Sequence, residues 1–292
     1  MQPKICTDPR QVLCLTRLRA HASLHHRLAG MSPVSDILQA AAQAPAVQAL
    51  ARRVERGCVV PVTGVDPAGW GWLAAALREH FPGRPLVLVT AGLKAQEQLQ
   101  QDVETWLNWA GGGRALFYAD WEVLPHEAKL PHADVISERL ETLLALTGDA
   151  PQPVITATAA ALMQATLPPA ELVQRSRVLR LGDRCEPLDL IEWLEDQGYE
   201  PEAQVTRRGE IALRGGIVDV FPFTSEWPLR CEFFGDELES LRWFHPHSQV
   251  SLEDKLKAAA LSPGGEVGLL KRIDAPRATL LNHLPPDAIF VL

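Results

Sequence analysis

No run of eighteen or more apolar residues occurs in the sequence, which excludes an apolar membrane-spanning helix. Near the start, Val12 to Thr16 is too short and too interrupted to be the core of a signal peptide, so the expected compartment is the cytoplasm. Cysteine is scarce: Cys6, Cys14, Cys58, Cys185 and Cys231 are odd in number, scattered, and never spaced C-x-x-C. That pattern argues against a disulfide framework and against a thiolate metal site, leaving reduced thiols. Catalytic signatures are missing as well. Neither H-E-x-x-H nor G-x-S-x-G is present, and His245-Pro-His247 has no two further ligands nearby, so these read as surface histidines. No catalytic residue, metal or cofactor is expected. Positive charge is in deficit too, with 28 Lys and Arg against 36 Asp and Glu, a net charge of -8. Neutralising phosphates needs clustered Lys and Arg, so composition gives no overall reason to bind nucleic acid and favours a protein partner.

What is present is an ordinary globular composition, 47% hydrophobic and 22% charged, in a chain of 292 residues that is long enough for two domains. Residues 1–44 read as a poorly ordered tail, with Lys4, Arg10, Arg17, Arg19 and Arg27 against Asp8 over the first thirty positions. Met31, ahead of a helix-like stretch from Asp36, is a candidate start of translation. From Cys58 the grammar is alternating α and β. An apolar run Cys58 to Val62, a glycine-rich turn and a helix from Trp72 to His80 are followed by a strand Pro85 to Thr90, a helix Leu93 to Trp109 closed by Gly111 to Gly113, and a strand Ala115 to Ala119. An amphipathic helix Ala133 to Leu146, a strand Pro153 to Thr158 and a helix Ala159 to Gln164 complete a parallel-sheet pattern before Pro168-Pro169. Beyond it the pattern changes to a helix Pro187 to Asp196 and an antiparallel meander of strands Ile211 to Phe221, Leu229 to Phe234 and Leu238 to Phe244, with Gly235-Asp236 as a tight turn. Signals weaken past Pro246 until the strand-like run Ala288 to Leu292, where the sequence reads as a fragment of a longer protein. The fold class is therefore α/β: a parallel-sheet domain plus an inserted smaller α+β domain with an antiparallel meander.

Gly64-Val-Asp-Pro-Ala-Gly69 has the G-x-x-x-x-G spacing of a Walker A loop between an expected strand and an expected helix. Its chemistry fails. Trp70 stands where the phosphate-reaching Lys belongs, Gly71 where the magnesium-holding Ser or Thr belongs, and Asp66 would repel a phosphate. Gly64, Gly69, Trp70 and Gly71 thus mark a degenerate nucleotide loop or a plain strand-to-helix turn, and no ATP hydrolysis is expected.

Three segments go beyond fold grammar: Trp121-Glu-Val-Leu-Pro-His126 leading to Pro131-His-Ala-Asp134 and Arg139-Leu140; Gly209 to Pro222 (GEIALRGGIVDVFP); and Leu229 to Phe244 (LRCEFFGDELESLRWF). Together they resemble the amino-terminal, UvrB-homologous module of the transcription-repair coupling factors, from about residue 45 onward. The resemblance implies a helicase-like domain with a non-functional nucleotide site at residues 45–172, an inserted UvrA-binding domain at 173–258, and the start of a segment returning to the first domain at 259–292. The short interval from Leu124 to Asp134 has no room for the damage-gripping β-hairpin of UvrB, which favours the coupling factor. UvrA is the implied partner, with Arg214 at the centre of the contact, Glu210 and Phe221 beside it, and Arg207 and Arg208 nearby. An arginine suits that role because its planar fork pairs with carboxylates. Arg214-Gly215 reads equally as a strand bulge, Phe221 as core and Glu210 as a solvated turn. In one departure, Glu200-Pro201 follows Gly198-Tyr199 where the family offers an arginine. RNA polymerase and DNA are partners that the parent protein would engage through regions outside this chain, and no membrane is implied. Two other readings stand beside the interaction module: an ATP-dependent DNA helicase or translocase, whose motor motifs these residues lack, and a direct binder of damaged DNA, which the acidic charge disfavours.

Overall fold

The computed structural model describes residue 40 and residues 42–110, 114–121, 131–148, 152–266, 269–270 and 277–292. In chain order the helices are α1 (Pro45–Glu55), α2 (Trp70–His80), α3 (Leu93–Trp109), α4 (Ala133–Ala145), α5 (Ala159–Met163), α6 (Pro169–Gln174) and α7 (Pro187–Asp196). The strands are β1 (Leu86–Thr90), β2 (Ala115–Tyr118), β3 (Val154–Thr158), β4 (Arg177–Arg180), β5 (Glu200–Pro201), β6 (Glu210–Arg214), β7 (Ile217–Val220), β8 (Leu229–Phe234), β9 (Glu237–Phe244), β10 (Ser251–Lys255), β11 (Ala258–Leu261) and β12 (Ile289–Val291). They fall into two compact units, one holding Trp121–Gly148 and Ala165–Thr279, the other holding the described residues from 40 to Asp120, Asp149–Gln164 and Leu280–Leu292.

The second of these is a parallel-sheet unit with strand order β12-β1-β3-β2, every pair parallel. A parallel strand covered on both faces needs consecutive apolar residues, as the runs LVLVT and VITAT supply. Residues of α1, α2 and α3 share a core with β1: Ala51, Leu73, Leu77, Val103, Leu107, Leu86 and Leu88 are all buried. Two glutamines of α3 tie helix to sheet. Gln96 Nε2 donates to the carbonyls of Tyr118 and Thr156 at 3.2 and 2.9 Å, and Gln100 Nε2 to that of Ala115 at 2.7 Å.

The first is an α+β unit built on a six-stranded sheet of order β10-β9-β8-β7-β6-β5, antiparallel except for β5 alongside β6, with β4 and β11 pairing separately. Alternation gives this sheet two characters. Ile211, Val218, Val220, Leu229, Cys231 and Leu241 are fully buried, and α7, with Leu190 and Leu194 buried, packs on β6 and β7. The cross-strand partners Ala212, Asp219, Arg230 and Arg242 lie on the other face.

Three expectations are corrected. Cys58 to Val62 forms no strand: Val59 is 97% exposed, Pro61 has no N–H to give a ladder, and no place in the parallel sheet is taken by this run. Ile211 to Phe221 is not one strand but the hairpin β6–β7. Gly215 takes φ +62°, and a Cβ on Gly216 would sit 2.7 Å from the Phe233 carbonyl oxygen, so the chain reverses where only glycine fits. Past Pro246 the chain forms two further strands, β10 and β11, which their charged and alanine-rich sequences do not announce. Three expectations lie outside the described residues: the tail up to Gln39 with the stretch from Asp36, the helix stop at Gly111 to Gly113, and most of the Trp121 to Asp134 motif. Among the described residues, no helix is long and apolar enough to cross a membrane, and no cluster of His, Cys, Asp and Glu is placed to hold a metal ion.

Candidate partner-binding surface

The β6–β7 hairpin carries Arg214 up to its glycine turn and Asp219 just beyond, two residues on the same face of the sheet. Asp219 is buried, its side chain 1% exposed, and its carboxylate is shared by two arginines. Arg230 holds it through both edges of its fork, Nε to Oδ1 at 2.8 Å and Nη2 to Oδ2 at 2.9 Å, while its guanidinium carbon lies 4.5 Å from the centre of the Phe244 ring. Arg214 Nη2 donates to Oδ2 at 2.7 Å. The hydrogen bond to Asp219 raises the Arg230 pKa further, so this cation is fixed. Arg214 differs in exposure: nearly half of its side chain remains open to solvent, at 48%. Two arginines thus share one carboxylate, Arg230 lies near Glu232 as well, and Arg214 is the more accessible of the two cations.

Glu210 serves the fold from within. Its carboxylate, 7% exposed, accepts from the backbone N–H groups of Thr206 and Arg207 at 2.7 and 2.8 Å, from the Thr206 hydroxyl at 3.1 Å, and from Arg207 Nε at 2.9 Å. Burial alone would push its pKa up, and these four hydrogen bonds outweigh it and bring it below the ordinary 4.5. A carboxyl whose pKa is lowered on folding stabilises the protein above its unfolded value, and that contribution disappears as pH falls through the lower folded value. Glu210→Gln is therefore expected to flatten the acid side of the stability–pH curve below about pH 4.5, measured by thermal melts from pH 7 to pH 3; an unchanged slope would show that the carboxylate is not what the loop requires. The guanidinium of Arg207 lies 82% exposed above Glu210. Arg208 is held closer, Nη1 on Asp134 at 3.0 Å and Nε on the Ser225 carbonyl at 3.1 Å. Phe221 is buried against Val205, Ala212 and Phe244, as core. Glu200-Pro201 forms the exposed edge strand β5, where the missing proline N–H costs no ladder bond.

The glycine-rich loop closes on itself. Gly64 takes φ +79°, and Asp66 accepts from the Ala68 N–H at 3.0 Å with its side chain and from the Gly69 N–H with its carbonyl, forming a short 3-10 turn, Pro67–Gly69. Two N–H groups of the loop are thereby occupied by Asp66. Trp70, the first residue of α2, packs on the apolar core, and at Gly71 helices α2 and α3 meet: a Cβ there would lie 2.7 Å from Asp102 Cβ and 2.9 Å from its backbone carbon. Gly71→Ser is accordingly expected to cost about 1–3 kcal/mol through overpacking, read as a shift of the urea midpoint; a serine accommodated without loss would mean the helices separate freely.

Sequence reasoning missed one buried pairing. Arg139 and Glu266 are both fully buried and paired at 2.9 Å, Thr166 donates to the same carboxylate, and the Arg139 guanidinium lies 4.0 Å from the centre of the Trp121 ring. The pairing spans 127 residues, and no local pattern signals it.

Comparison with known proteins agrees with this architecture. Residues 178–266, from β4 to Glu266, match the UvrB interaction domain. The Transcription-repair-coupling factor of Escherichia coli (strain K12) is 34% identical over 194 residues, 66% of this chain and 16% of that protein. That of Bacillus subtilis (strain 168) is 30% identical over 213 residues, 70% of this chain and 18% of the relative. That of Myxococcus xanthus is 34% identical over 233 residues, 79% of this chain and 19% of the relative. The chain thus spans less than a fifth of the length of each. By sequence and by domain content, it is a relative of the transcription-repair-coupling factors, over a segment that includes the UvrB interaction domain.

Proposed function

We propose that this chain is an interaction module of transcription-coupled nucleotide excision repair that recruits UvrA. Residues 173–258 form its UvrA-binding domain, 45–172 a helicase-like domain without a working nucleotide site, and 259–292 the beginning of the return to that domain. The observation that carries the reading is the coincidence of the UvrB interaction domain match with a sheet whose polar face exposes Arg214. Arginines on a preformed scaffold are frequent anchors of protein interfaces, because a rigid planar cation loses little freedom on binding. Arg207 and Arg208 extend the cationic side of the contact, and Glu210 and Phe221 contribute by holding the backbone and the core from which it projects. The parent protein would supply ATP-driven translocation and contacts to RNA polymerase and DNA through other regions, and this chain alone would show no turnover.

Biolayer interferometry of the chain against immobilised UvrA, with Arg214→Ala alongside and both checked by circular dichroism, tests the reading. The expected result is saturable binding that the variant weakens about tenfold or more, as loss of a central arginine does. A folded wild-type chain that does not bind would overturn it. Binding that collapses steeply with salt on DNA, and is absent on UvrA, would point to a nucleic-acid surface instead.

A further inference from the structure

We infer that Gln249 is a positioning residue that holds the Arg214 guanidinium in one outward-facing pose, ready for an acidic group of the partner; the inference rests on the reading of Arg214 given above. Gln249 is the one non-glycine among the described residues with a positive φ, +60°. A side chain in that region costs free energy and persists where its surroundings over-determine it. The surroundings do so here. Gln249 Nε2 donates to the carbonyls of Val205 and Pro246 at 2.9 and 2.7 Å, which fixes the amide between two segments. With its orientation set by those bonds, Oε1 accepts from Arg214 Nη2 at 3.3 Å, and the Gln249 carbonyl accepts from Arg230 Nη1 at 3.1 Å.

The donor count of Arg214 explains what this achieves. A guanidinium has five N–H groups, two of them on Nη2. Asp219 and Gln249 occupy Nη2, while Nε and Nη1 of this half-exposed side chain make no hydrogen bond among the described residues and are available to a partner. A partner carboxylate meets a cation already oriented and partly desolvated, so the rotamer entropy of a long side chain is spent in folding rather than in binding. Asp219 supplies the charge and Gln249 the direction. Without Gln249 the same arginine would still be paired, on a single bond about which it can swing.

Two variants separate positioning from folding. Gln249→Ala removes the side chain at the strained φ, and Gln249→Gly removes it while relieving the strain, which offsets part of the stability lost with its hydrogen bonds. Each is expected to weaken UvrA binding about five- to tenfold in the wild-type background and less than about twofold in an Arg214→Ala background, the non-additivity of residues acting through one contact. Nitrogen-15 NMR of the free chain gives a readout without UvrA: slow rotation of the Arg214 guanidinium in the wild type, fast averaging in Gln249→Gly. An Arg214 restrained equally in both would overturn the inference, as would additive losses in the double variants. If Arg214→Ala leaves UvrA binding intact, the proposed contact fails instead, and the NMR comparison still decides whether Gln249 holds the guanidinium.

Discussion

Glu266→Ala is expected to lower the stability of the α+β unit by about 3–5 kcal/mol, the largest single effect expected in this protein, because it removes a fully buried carboxylate on which both Arg139 and Thr166 converge. The Trp121 ring, 4.0 Å away, stabilises a cation but provides no counter-charge, and the Thr166 hydroxyl loses its acceptor in the same change. The pair need not be favourable as a whole. Replacing both members by apolar residues of similar volume, Arg139→Met with Glu266→Leu, is expected to recover much of the loss, since both charges of the pair are then removed together. Urea unfolding of the three proteins measures this as midpoint shifts at constant slope. A single variant within about 1 kcal/mol of the wild type would mean that the Arg139 charge is compensated without Glu266.

Asp219→Ala is expected to cost about 3 kcal/mol, nearly all of it through Arg230, whose side chain is only 14% exposed and loses both bonds of its fork. Arg214 contributes little to that figure because solvent screens its half-exposed charge. The contrast gives the test its force. Arg214→Ala should change stability by less than about 1 kcal/mol while weakening partner binding, whereas Asp219→Ala should impair both. Equal stability losses for the two would show that Arg214 is a structural member of the network and not its accessible edge.

The long elements were legible from pattern. Helix α3 occupies Leu93–Trp109 and α7 occupies Pro187–Asp196, the bounds their apolar spacing and flanking glycine or proline indicate. Strands β1 and β3 are apolar throughout, as burial on both faces requires. Failures came where local pattern and tertiary pairing disagree. Cys58 to Val62 has strand composition but no neighbour to pair with, and the glycine pair within Ile211 to Phe221, which reads as a bulge in one strand, is the turn between two. β10 is largely charged and β11 largely alanine, so neither has the β-branched and aromatic residues that mark a strand, and pairing with neighbouring strands defines them.

At the candidate surface the same division holds. Arg214 could be singled out because the sequence around it resembles a known family, and the Gly64 to Gly71 loop because its spacing is that of a phosphate loop without the residues for the chemistry. Gly71 illustrates the difference in level: the sequence shows that it is not Ser or Thr, and only the approach of α2 to α3 shows what excludes a side chain there.

The α/β class, the order of the main helices and strands and the resemblance that points to transcription-coupled repair are legible along the chain, because they rest on periodicity and on short motifs read locally. Only the tertiary structure decided that Asp219, Arg230 and Gln249 gather around Arg214, that Glu210 and Phe221 turn inward, and that Arg139 meets Glu266. Those partners lie 5 to 127 residues apart, and charges so far separated find each other through strand register and burial, which no local pattern encodes.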